Sequence, residues 1–368
     1  MKVKDISIVN PKSDLKNKSH IYYVDTSSVL DGKVNKMQFF HKNEWPLSAK
    51  KEVAKNDILI SAVRPNLKHN WFVKDDLTNL IARSTFIQVR VTNRNYLPRY
   101  VYYFLTSDKK IKYYSAVANS SATVWPLFGK NIIEEMELPT IPIDKQQHIV
   151  DIIGSVDDLI QNYENQIEKI CNILDCSLQI YSNYVPIKYY NPTIIKSGIE
   201  KFSGTKFYLD TAAVDGVNNI VHYENIEFKH HKSRANMQPI GNSIWFARMK
   251  GSNKKIVVTN LDKDLIEKYI FSTGFLGLHI YNDNFLTFFT SAIISKNFDV
   301  NRDLFASGTT QESITNEKFL EIKIPFLTDN EISEYAKKYH FFIYMLSLLR
   351  RKIEKLSKVK QELLNKYF

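Results

Sequence analysis

The chain carries the sequence Tyr23-Val24-Asp25-Thr26-Ser27-Ser28-Val29 a second time, 185 residues later, as Tyr208-Leu209-Asp210-Thr211-Ala212-Ala213-Val214. Other matches follow in the same order at nearly the same offset: Ser84-Thr85-Phe86 with Ser272-Thr273-Gly274-Phe275, Leu138-Pro139 with Ile324-Pro325, and Ile167-Glu168-Lys169-Ile170 with Ile353-Glu354-Lys355-Leu356. A solenoid repeat has a much shorter period, roughly 20 to 50 residues. The repetition therefore predicts two copies of one domain, which would place two similar surfaces on one chain.

The composition is that of a folded, basic protein. Of the 368 residues, 44% are hydrophobic and 13% are aromatic, which is enough to build real cores. The net charge of +11 favours a polyanionic partner, most simply nucleic acid, although a lysine-rich proteome would give the same excess. The first residues lack the apolar run of a secretory signal, and no apolar stretch is long enough to cross a bilayer. A cytoplasmic protein without membrane contact is therefore expected.

The predicted order of the parts is globule, long helix, globule, long helix. In the globular parts, short β-rich runs separated by turn signals alternate with helical patterns, which indicates mixed α and β structure. We therefore predict an α+β fold with an internal pseudo-twofold repeat. Its expected parts are globular domains at residues 1–143 and 183–327, and long helices at residues 144–182 and 328–368.

Both helical segments have apolar residues at the alternating spacing of four and three that is typical of a coiled coil. One weak position interrupts each pattern, Ser177 in the first helix and Lys360 in the second. A helix of about 37 residues, roughly 55 Å long, would expose its seam if it were isolated, so the two are expected to pair antiparallel. The alternative is two separate amphipathic helices, each lying on its own domain. The predicted seam residues are Ile153, Val156, Ile160, Ile167 and Ile170 in the first helix and Leu346, Leu349, Ile353 and Leu356 in the second.

The sequence lacks the motifs of the catalytic functions that a basic chain of this size could have. It contains no GxxxxGK[ST] phosphate loop, no GxGxxG after a strand, no GxSxG nucleophile elbow and no HExxH metal motif. Asn191-Pro192-Thr193-Ile194 begins like the Asn-Pro-Pro-aromatic motif of amino-methyltransferases, but it lacks the second proline and the aromatic residue. We therefore expect a binding protein without catalytic residues, cofactor or metal of its own.

Two basic, amide-rich loops follow strands at corresponding places of the two copies. Sequence readout of DNA needs side chains that reach base edges and phosphate contacts that fix the register. Arg64 and Arg248 are the first candidates, because a guanidinium can form two parallel hydrogen bonds to a base or a phosphate. A basic loop can equally be an ordinary solvated turn. The candidate DNA-binding residues are Lys50, Lys51, Arg64, Asn66, Lys68 and His69 in the first copy and Arg234, Asn236, Arg248, Lys250, Lys254 and Lys255 in the second.

A second pair of loops is rich in small polar residues, Asn119-Ser120-Ser121-Ala122-Thr123 and Ser307-Gly308-Thr309-Thr310-Gln311. Small side chains let a backbone come close to a phosphate or a base edge. The loops could equally be polar turns before the strands that end at Pro139 and Pro325. The further candidates for DNA contact are Ser121, Thr123, Thr309 and Thr310.

At these residues the chain resembles the specificity subunits of type I restriction-modification enzymes. A specific match to that family's first domain is Asp57-Ile58-Leu59-Ile60-Ser61-Ala62-Val63-Arg64-Pro65-Asn66-Leu67-Lys68. Similar to its second domain are Ser233-Arg234-Ala235-Asn236-Met237, Ile244-Trp245-Phe246-Ala247 and Ser272-Thr273-Gly274-Phe275. The helix entry Ile141-Pro142-Ile143-Asp144-Lys145-Gln146-Gln147-His148 is similar to the family's proline-then-Gln-Gln pattern, which the second entry, Phe326-Leu327-Thr328-Asp329-Asn330-Glu331, lacks.

The resemblance implies a non-catalytic subunit with two target-recognition domains separated by two long helices. Each recognition domain of such a subunit reads one half of a split, asymmetric site in double-stranded DNA, and the helices fix the number of unread base pairs. The subunit recruits two methylation subunits, which supply S-adenosylmethionine and the adenine-methylating site. It can also join two motor-nuclease subunits. Recognition domains of the family diverge with their target, so the target bases do not follow from the sequence.

Two other functions are compatible with the residues. The chain could be the recognition part of a fused restriction-methylation enzyme, although the matching ends, each closing with a helix, favour a complete subunit. It could also be a helical scaffold that binds only protein. The scaffold would show no salt-sensitive DNA binding, whereas binding through phosphate contacts weakens steeply with salt.

Overall fold

In a computed structural model, which describes residues 1–120, 127–309 and 311–368, the chain divides into two compact units. Unit 1 comprises Met1–Asp157 and Lys358–Phe368, and unit 2 comprises Asp158–Ser357. Two long helices, Ile143–Leu178 and Asp329–Tyr367, each contribute one part to either unit. None of the helices in the described part of the chain is both long and apolar enough to span a membrane.

Unit 1 is built from β-sheets covered by helices. One sheet has the strand order β1-β10-β7-β8, another has the order β5-β2-β9-β6, and β3 pairs with β4. Its strands are β1 (Ser7–Val9), β2 (His20–Val24), β3 (Val29–Leu30), β4 (Lys33–Val34), β5 (Gln38–His41), β6 (Ala49–Glu52), β7 (Ile58–Ser61), β8 (Asn70–Phe72), β9 (Leu80–Arg83) and β10 (Phe86–Val91). Its helices are α1 (Val3–Ile6), α2 (Pro98–Leu105), α3 (Asp108–Asn119), α4 (Lys130–Glu134) and the start of α5 (Ile143–Leu178).

Unit 2 has the same construction. Its sheets have the strand orders β12-β21-β18-β19 and β16-β13-β20-β17, with β14 paired to β15 and β11 to β22. Its strands are β11 (Tyr184–Pro186), β12 (Thr193–Ile194), β13 (Thr205–Leu209), β14 (Val214–Asp215), β15 (Asn219–Ile220), β16 (Glu224–Glu227), β17 (Ala235–Met237), β18 (Ser243–Ala247), β19 (Lys255–Val258), β20 (Tyr269–Ser272), β21 (Phe275–His279) and β22 (Lys323–Pro325). Its helices are α6 (Lys263–Lys268), α7 (Asp283–Ile294), α8 (Lys296–Phe305), α9 (Asn316–Leu320) and most of α10 (Asp329–Tyr367).

The two units share one topology. The order β1-β10-β7-β8 returns as β12-β21-β18-β19, and β5-β2-β9-β6 returns as β16-β13-β20-β17. Even the parallel pairing is repeated, since β13 lies parallel to β20 as β2 lies parallel to β9. The repeat in the sequence is therefore a repeat of the fold.

Strand β7 is buried on both faces, which explains its continuous apolar run. Ile58 and Ile60 pack in a core with helix residues such as Tyr100, whereas Leu59, between them, packs in a second core with Val24 of the other sheet. Successive side chains of a strand point to opposite faces, so one strand serves both cores. Unit 1 thus has three layers: the helices, the sheet that contains β7, and the sheet that contains β2. Burying a side chain of this kind contributes roughly 1.5–3 kcal/mol relative to leaving it exposed.

The two copies fill one equivalent site of the core differently. Trp245 faces Gly277 across the β18–β21 pair, where unit 1 has Leu59 facing Gln88. A Cβ atom on Gly277 would lie 2.6 Å from the indole ring, so this glycine is needed for space. The fold therefore tolerates a large change at one position when its cross-strand neighbour changes with it.

Within unit 2, the segments of the two long helices run antiparallel. The hydroxyls of Ser177 and Tyr335 share a hydrogen bond of 2.6 Å, and the Nζ atom of Lys352 lies 5.0 Å from the ring centre of Tyr163. Residue numbers therefore increase along one helix in the direction in which they decrease along the other. Ser177, a weak position of the heptad pattern, is a buried polar contact in the seam.

Within unit 1, the start of α5 and the last turns of α10 share a core that contains Ile149, Ile153 and Leu364. Lys360, the other weak position of the heptad pattern, places its Nζ atom 2.8 Å from the Asp157 carboxylate. Each interruption of the apolar pattern is thus a polar contact between the two helices.

The predicted seam residues are buried or half-buried, but they do not form a coiled coil separate from the globular parts. Ile167, Ile170 and Leu346 share one core with residues of β18 and α7. The two expected arrangements therefore occur together: the helix segments pair with each other, and each also packs on the sheets and helices of its own unit. The other seam residues of that core are Leu349, Ile353 and, at its margin, Ile160; Val156 is buried and Leu356 is half-buried.

Candidate nucleic-acid interface

One edge of unit 1 gathers several loops that carry predicted site residues. Just beyond β7, the N–H of Ala62 donates to the Thr85 carbonyl in the β9–β10 turn, at 2.9 Å. In the same turn, the N–H of Ser84 donates to the Ser48 carbonyl before β6, at 2.8 Å. The Ala62 carbonyl accepts from the N–H of Phe128, at 3.1 Å. We name this surface the loop edge of unit 1 and define it by residues 25–28, 47–50, 62–69 and 83–85.

The loop after β7 is anchored by its proline. Pro65 is buried and opens a short turn, Pro65–Leu67, whereas Arg64 and Asn66 are exposed. Arg64 and Lys68, on either side of the turn, have left-handed backbone with φ of 47° and 52°. Such strain costs on the order of 1–3 kcal/mol per residue and tends to occur at functional sites. The loop therefore offers a guanidinium and an amide on a fixed backbone.

Lys68 and His69 have partners within the protein. The Nζ atom of Lys68 lies 3.0 Å from the Asp108 carboxylate at the start of α3, and Nδ1 of His69 is hydrogen-bonded to the Val29 carbonyl. Both side chains hold the loop in place. Among the predicted residues of this loop, Arg64 and Asn66 are the exposed ones.

The two lysines predicted in β6 have different surroundings. Lys50 is exposed, whereas Lys51 is half-buried and donates to the Asn10 side chain at 2.6 Å. Burial lowers the pKa of Lys51 from its ordinary value. Lys51 therefore stabilises the sheet margin, and Lys50 is the one suited to a phosphate.

The corresponding edge of unit 2 repeats these backbone bonds. The N–H of Arg248 donates to the Gly274 carbonyl at 2.9 Å, the N–H of Thr273 donates to the Arg234 carbonyl at 2.8 Å, and the N–H of Ile314 donates to the Arg248 carbonyl at 3.0 Å. We name it the loop edge of unit 2 and define it by residues 210–213, 233–236, 248–254 and 272–274.

The register of the two loops shows that Arg64 and Arg248, the first candidates of the two copies, do not occupy equivalent positions. Ala62 and Arg248 make the same backbone bonds, and Val63 and Met249 form equivalent bridges to Leu127 and Ser313. The equivalent of Arg64 is therefore Lys250. The sequence did not reveal this shift of two residues, because both loops are basic over several positions.

Arg248 holds a neighbouring segment instead of standing free at the surface. Its Nη1 donates to the Ile314 carbonyl at 3.2 Å, and its Nη2 donates to the Asn316 side chain at 2.7 Å. Burial lowers the pKa of its guanidinium. With these donors committed, the structure assigns Arg248 to positioning the segment that follows α8.

The three predicted lysines of this loop differ strongly in exposure. Lys250 is exposed, with its Nζ 2.7 Å from the Glu312 carboxylate, and Lys254 is half-buried and donates to the Thr211 carbonyl at 2.7 Å. Lys255 is only 1% exposed and pairs with Asp299 at 2.8 Å. Lys255 therefore belongs to the core of the unit, which corrects its expected contact with a phosphate.

The remaining candidates of unit 2 lie at or near its loop edge. Arg234 and Thr309 are exposed, and Asn236 is half-buried. Beside Thr309, Gly308 has φ of 138°, and a Cβ atom there would lie 2.6 Å from the Gln311 carbonyl oxygen, so the turn requires glycine. Three further candidates, Ser121, Thr123 and Thr310, lie outside the described residues.

Sequence reasoning missed an ion pair at the loop edge of unit 1. Nη1 of Arg83 lies 2.5 Å from the carboxylate of Asp25, and the Arg83 side chain is 39% exposed. Burial opposes ionisation of Asp25, but the N–H of Ser27 and the Arg83 guanidinium outweigh it and hold the pKa of Asp25 below its ordinary value. The repeated Asp-Thr dipeptide was the available signal, but nothing in the sequence pairs it with Arg83.

Comparison with known proteins shows what part of the chain is similar to. Residues 2–171 match the family model described as the type I restriction modification DNA specificity domain. The specificity subunit of the type I restriction enzyme HindI from Haemophilus influenzae is 26% identical over 153 residues. That match covers 42% of this chain and only 33% of the relative, so it spans a third of the relative's length.

Solved structures of similar proteins extend over the whole chain at low identity. The HsdS subunit from Thermoanaerobacter tengcongensis is 15% identical with a TM-score of 0.42, and the type I restriction-modification S subunit from M. genitalium is 14% identical with a TM-score of 0.49. Each comparison covers 100% of this chain and 95% of the other. The family model, which matches residues 2–171, and the curated relative confirm the resemblance to specificity subunits of type I restriction-modification enzymes that the sequence predicts.

Proposed function

We propose that this chain is the DNA-specificity subunit of a type I restriction-modification system, in which each unit reads one half of a split, asymmetric site in double-stranded DNA. The observation that carries the proposal is the duplication of the loop edge in two units of one topology. Exposed arginine, lysine and asparagine side chains at these edges suit phosphate oxygens and base edges. The recognition domains are residues 1–143 and 183–327.

The long helices have a second role in this proposal. They set the number of unread base pairs between the half-sites, and they contribute to docking two methylation subunits. Most of the seam side chains are buried within the units, so the docking surface consists of the outer faces of the helices. The subunit also joins two motor-nuclease subunits when the restriction enzyme is assembled.

The chain acts without a reaction of its own in this account. The partner subunits supply S-adenosylmethionine and the adenine-methylating site, and the chain decides where methylation occurs. Its sequence motifs support a binding role, because the phosphate-loop, nucleotide-fold and metal motifs of the catalytic alternatives are missing from it.

The test is to map methylation in cells that express the full chain with a type I methylation subunit from the same genome. A modified adenine in each half of a split motif with a fixed gap is expected. No new methylation, with the partner shown to be active on another specificity subunit, would overturn the proposal and favour a protein-binding scaffold. A contiguous motif would instead favour the recognition part of a fused enzyme.

A further inference from the structure

We infer that each unit offers one arginine for DNA at the same place of its loop edge, Arg83 in unit 1 and Arg234 in unit 2, although the two residues occupy different positions of the repeat. The inference rests on the proposed function and adds to it a specificity contact that alignment of the two sequences hides. Its basis is a comparison of three equivalent positions. At two of them serine and arginine are exchanged between the units, and at the third a threonine of unit 1 is replaced by a glycine in unit 2.

The first exchanged position is fixed by strand register. Ala49 faces Arg83 in the β6–β9 pair, and Ala235 faces Ser272 in the β17–β20 pair. The two pairs occupy the same place in sheets of the same order. Ser272 of unit 2 is therefore the equivalent of Arg83.

The second exchanged position is fixed by a backbone hydrogen bond. The carbonyl of Ser48 accepts from the N–H of Ser84, and the carbonyl of Arg234 accepts from the N–H of Thr273, both at 2.8 Å. Arg234 is therefore the equivalent of Ser48. Unit 1 has serine and arginine at these two positions, and unit 2 has arginine and serine.

A third position changes size to suit the exchange. Thr85 and Gly274 are equivalent, since each carbonyl accepts the bond from the residue just beyond the central strand. A Cβ atom on Gly274 would lie 3.0 Å from Nη2 of Arg234 and 3.0 Å from the methyl carbon of Thr211. The glycine thus leaves room for the guanidinium, and threonine fills the same place in unit 1, where the arginine comes from β9.

Both arginines lie near the repeated Asp-Thr dipeptide, Arg83 in direct contact with it and Arg234 on the other side of the space that Gly274 leaves open. Arg83 binds Asp25 at 2.5 Å. In unit 2, Nη2 of Arg234 and the methyl carbon of Thr211, which follows Asp210, each lie 3.0 Å from the place that a Cβ atom on Gly274 would take. Arg83 is 39% exposed, and Arg234 is exposed as well. The two units thus supply an arginine to the same part of the loop edge from different strands. This indicates that the function requires a guanidinium there, whichever strand carries it.

The chemistry of arginine suits this place to a polyanion. A guanidinium has five N–H donors in a fixed plane, so the bond from Arg83 to Asp25 leaves donors for a phosphate or for the paired acceptors of a guanine. The carboxylate fixes the orientation of the plane before DNA arrives. Lysine could supply the charge but not the paired donors.

The test moves the arginine within its own unit and uses the full chain with its methylation subunit. Arg83→Ser is expected to lower methylation at the wild-type motif by about tenfold or more, because one forked contact discriminates by roughly that amount. The loss should relax bases in only one half of the motif. The triple variant S48R/R83S/T85G, which copies the arrangement of unit 2, should restore methylation at the wild-type motif.

Unit 2 supplies the mirror experiment, in which Arg234→Ser relaxes the other half and R234S/S272R/G274T restores it. Arg94→Ser is the matched control, because Arg94 is exposed beyond the opposite end of β10 and should leave the motif unchanged. If Arg83→Ser folds poorly by thermal unfolding, Arg83→Lys keeps the pairing with Asp25, and it should still lose discrimination.

Absence of a wild-type motif would count against the proposed function itself. A wild-type motif that is untouched by Arg83→Ser, or a triple variant that remains as impaired as the single one, would overturn the inference. A uniform loss over both halves from either single variant would also overturn it, because a general weakening of the fold would act in that way.

Discussion

Arg350 lies in α10 with only 1% of its side chain exposed, against the fully buried carboxylate of Asp262. Their atoms Nη2 and Oδ1 are 2.5 Å apart, and the Ser347 hydroxyl and the Thr259 N–H also donate to this carboxylate. A buried charge of either sign is costly unless it is paired. The network therefore fastens the C-terminal helix to the β19–α6 connection of unit 2.

Asp262→Asn should lower the free energy of unfolding of unit 2 by about 3 kcal/mol, because it leaves the buried Arg350 with Glu354 as its remaining carboxylate. Hydrogen exchange of β18 and β19 amides in the full chain measures the change. Lys337→Ala is the control, since its ion pair with Glu334 is 71% and 65% exposed and should contribute no more than about 1 kcal/mol. Equal effects of both substitutions would contradict the account.

The same carboxylate predicts a pH dependence. Burial of Asp262 opposes its ionisation, but Arg350 and the hydrogen bonds outweigh burial and hold its pKa below the ordinary value of 3.8. A carboxyl group with a lowered pKa adds stability above its unfolded pKa, and this stability is lost as the pH falls through the folded pKa. The difference in stability between the wild type and Asp262→Asn should therefore shrink below pH 3.8, as measured by hydrogen exchange or urea unfolding. A constant difference would contradict this assignment.

At the scale of residues, the sequence shows where the basic loops lie but not how their side chains are exposed or paired. Arg64 and Lys250 are exposed as a DNA contact requires, whereas Lys255 is buried and Arg248 is committed to neighbouring groups. A basic residue looks the same in a sequence whether its partner is solvent or a distant carboxylate. Asp299, the partner of Lys255, lies 44 residues away, so no local pattern links the two.

At the scale of elements, the weak positions of the heptad pattern specify how the long helices meet. Lys360 is held by Asp157, and although burial opposes its charge, Asp157 and Asp31 raise the pKa of Lys360. A polar residue at a single seam position fixes register in coiled coils. The sequence showed both interruptions, but their partners followed only from the packing of the units.

Substitution of this pair should be asymmetric. Asp157→Leu should cost unit 1 about 3 kcal/mol, because it removes the partner of both the Lys360 ammonium and the buried Tyr103 hydroxyl. Lys360→Met should cost about 1 kcal/mol, since Asp157 keeps the Tyr103 hydrogen bond. Hydrogen exchange of α2 amides measures both changes. A larger cost for Lys360→Met would contradict this reading of the contact.

The sequence predicts that the elements are repeated, but it does not predict the order of the strands in the sheets. The recurring Asp-Thr dipeptide fixed the offset of the two copies, and the apolar run Ile58-Leu59-Ile60 indicated a strand. That β2 pairs in parallel with β9, far along the chain, depends on contacts that no local periodicity contains. Once the strand order of one unit is known, however, the repeat predicts the strand order of the other.

At the scale of the whole molecule, the net charge of +11 predicts binding that depends on salt. Each phosphate contact releases counterions, so six or more contacts weaken DNA binding on the order of 10³-fold between 50 and 200 mM salt. The complex of this chain with its methylation subunit, titrated with duplex DNA that carries its motif, should show such a slope. A complex whose affinity is independent of salt would contradict DNA contact through the loop edges.

The separate readout of two half-sites is the central claim, and methylation mapping of Arg64→Ala and Lys250→Ala tests it most directly. These residues are equivalent in the register of the two units, and each belongs to one loop edge. Arg64→Ala should relax or weaken one half of the motif and leave the other half and the gap unchanged, and Lys250→Ala should affect the opposite half. Equal damage to both halves from either substitution would contradict a molecule with two independent readers.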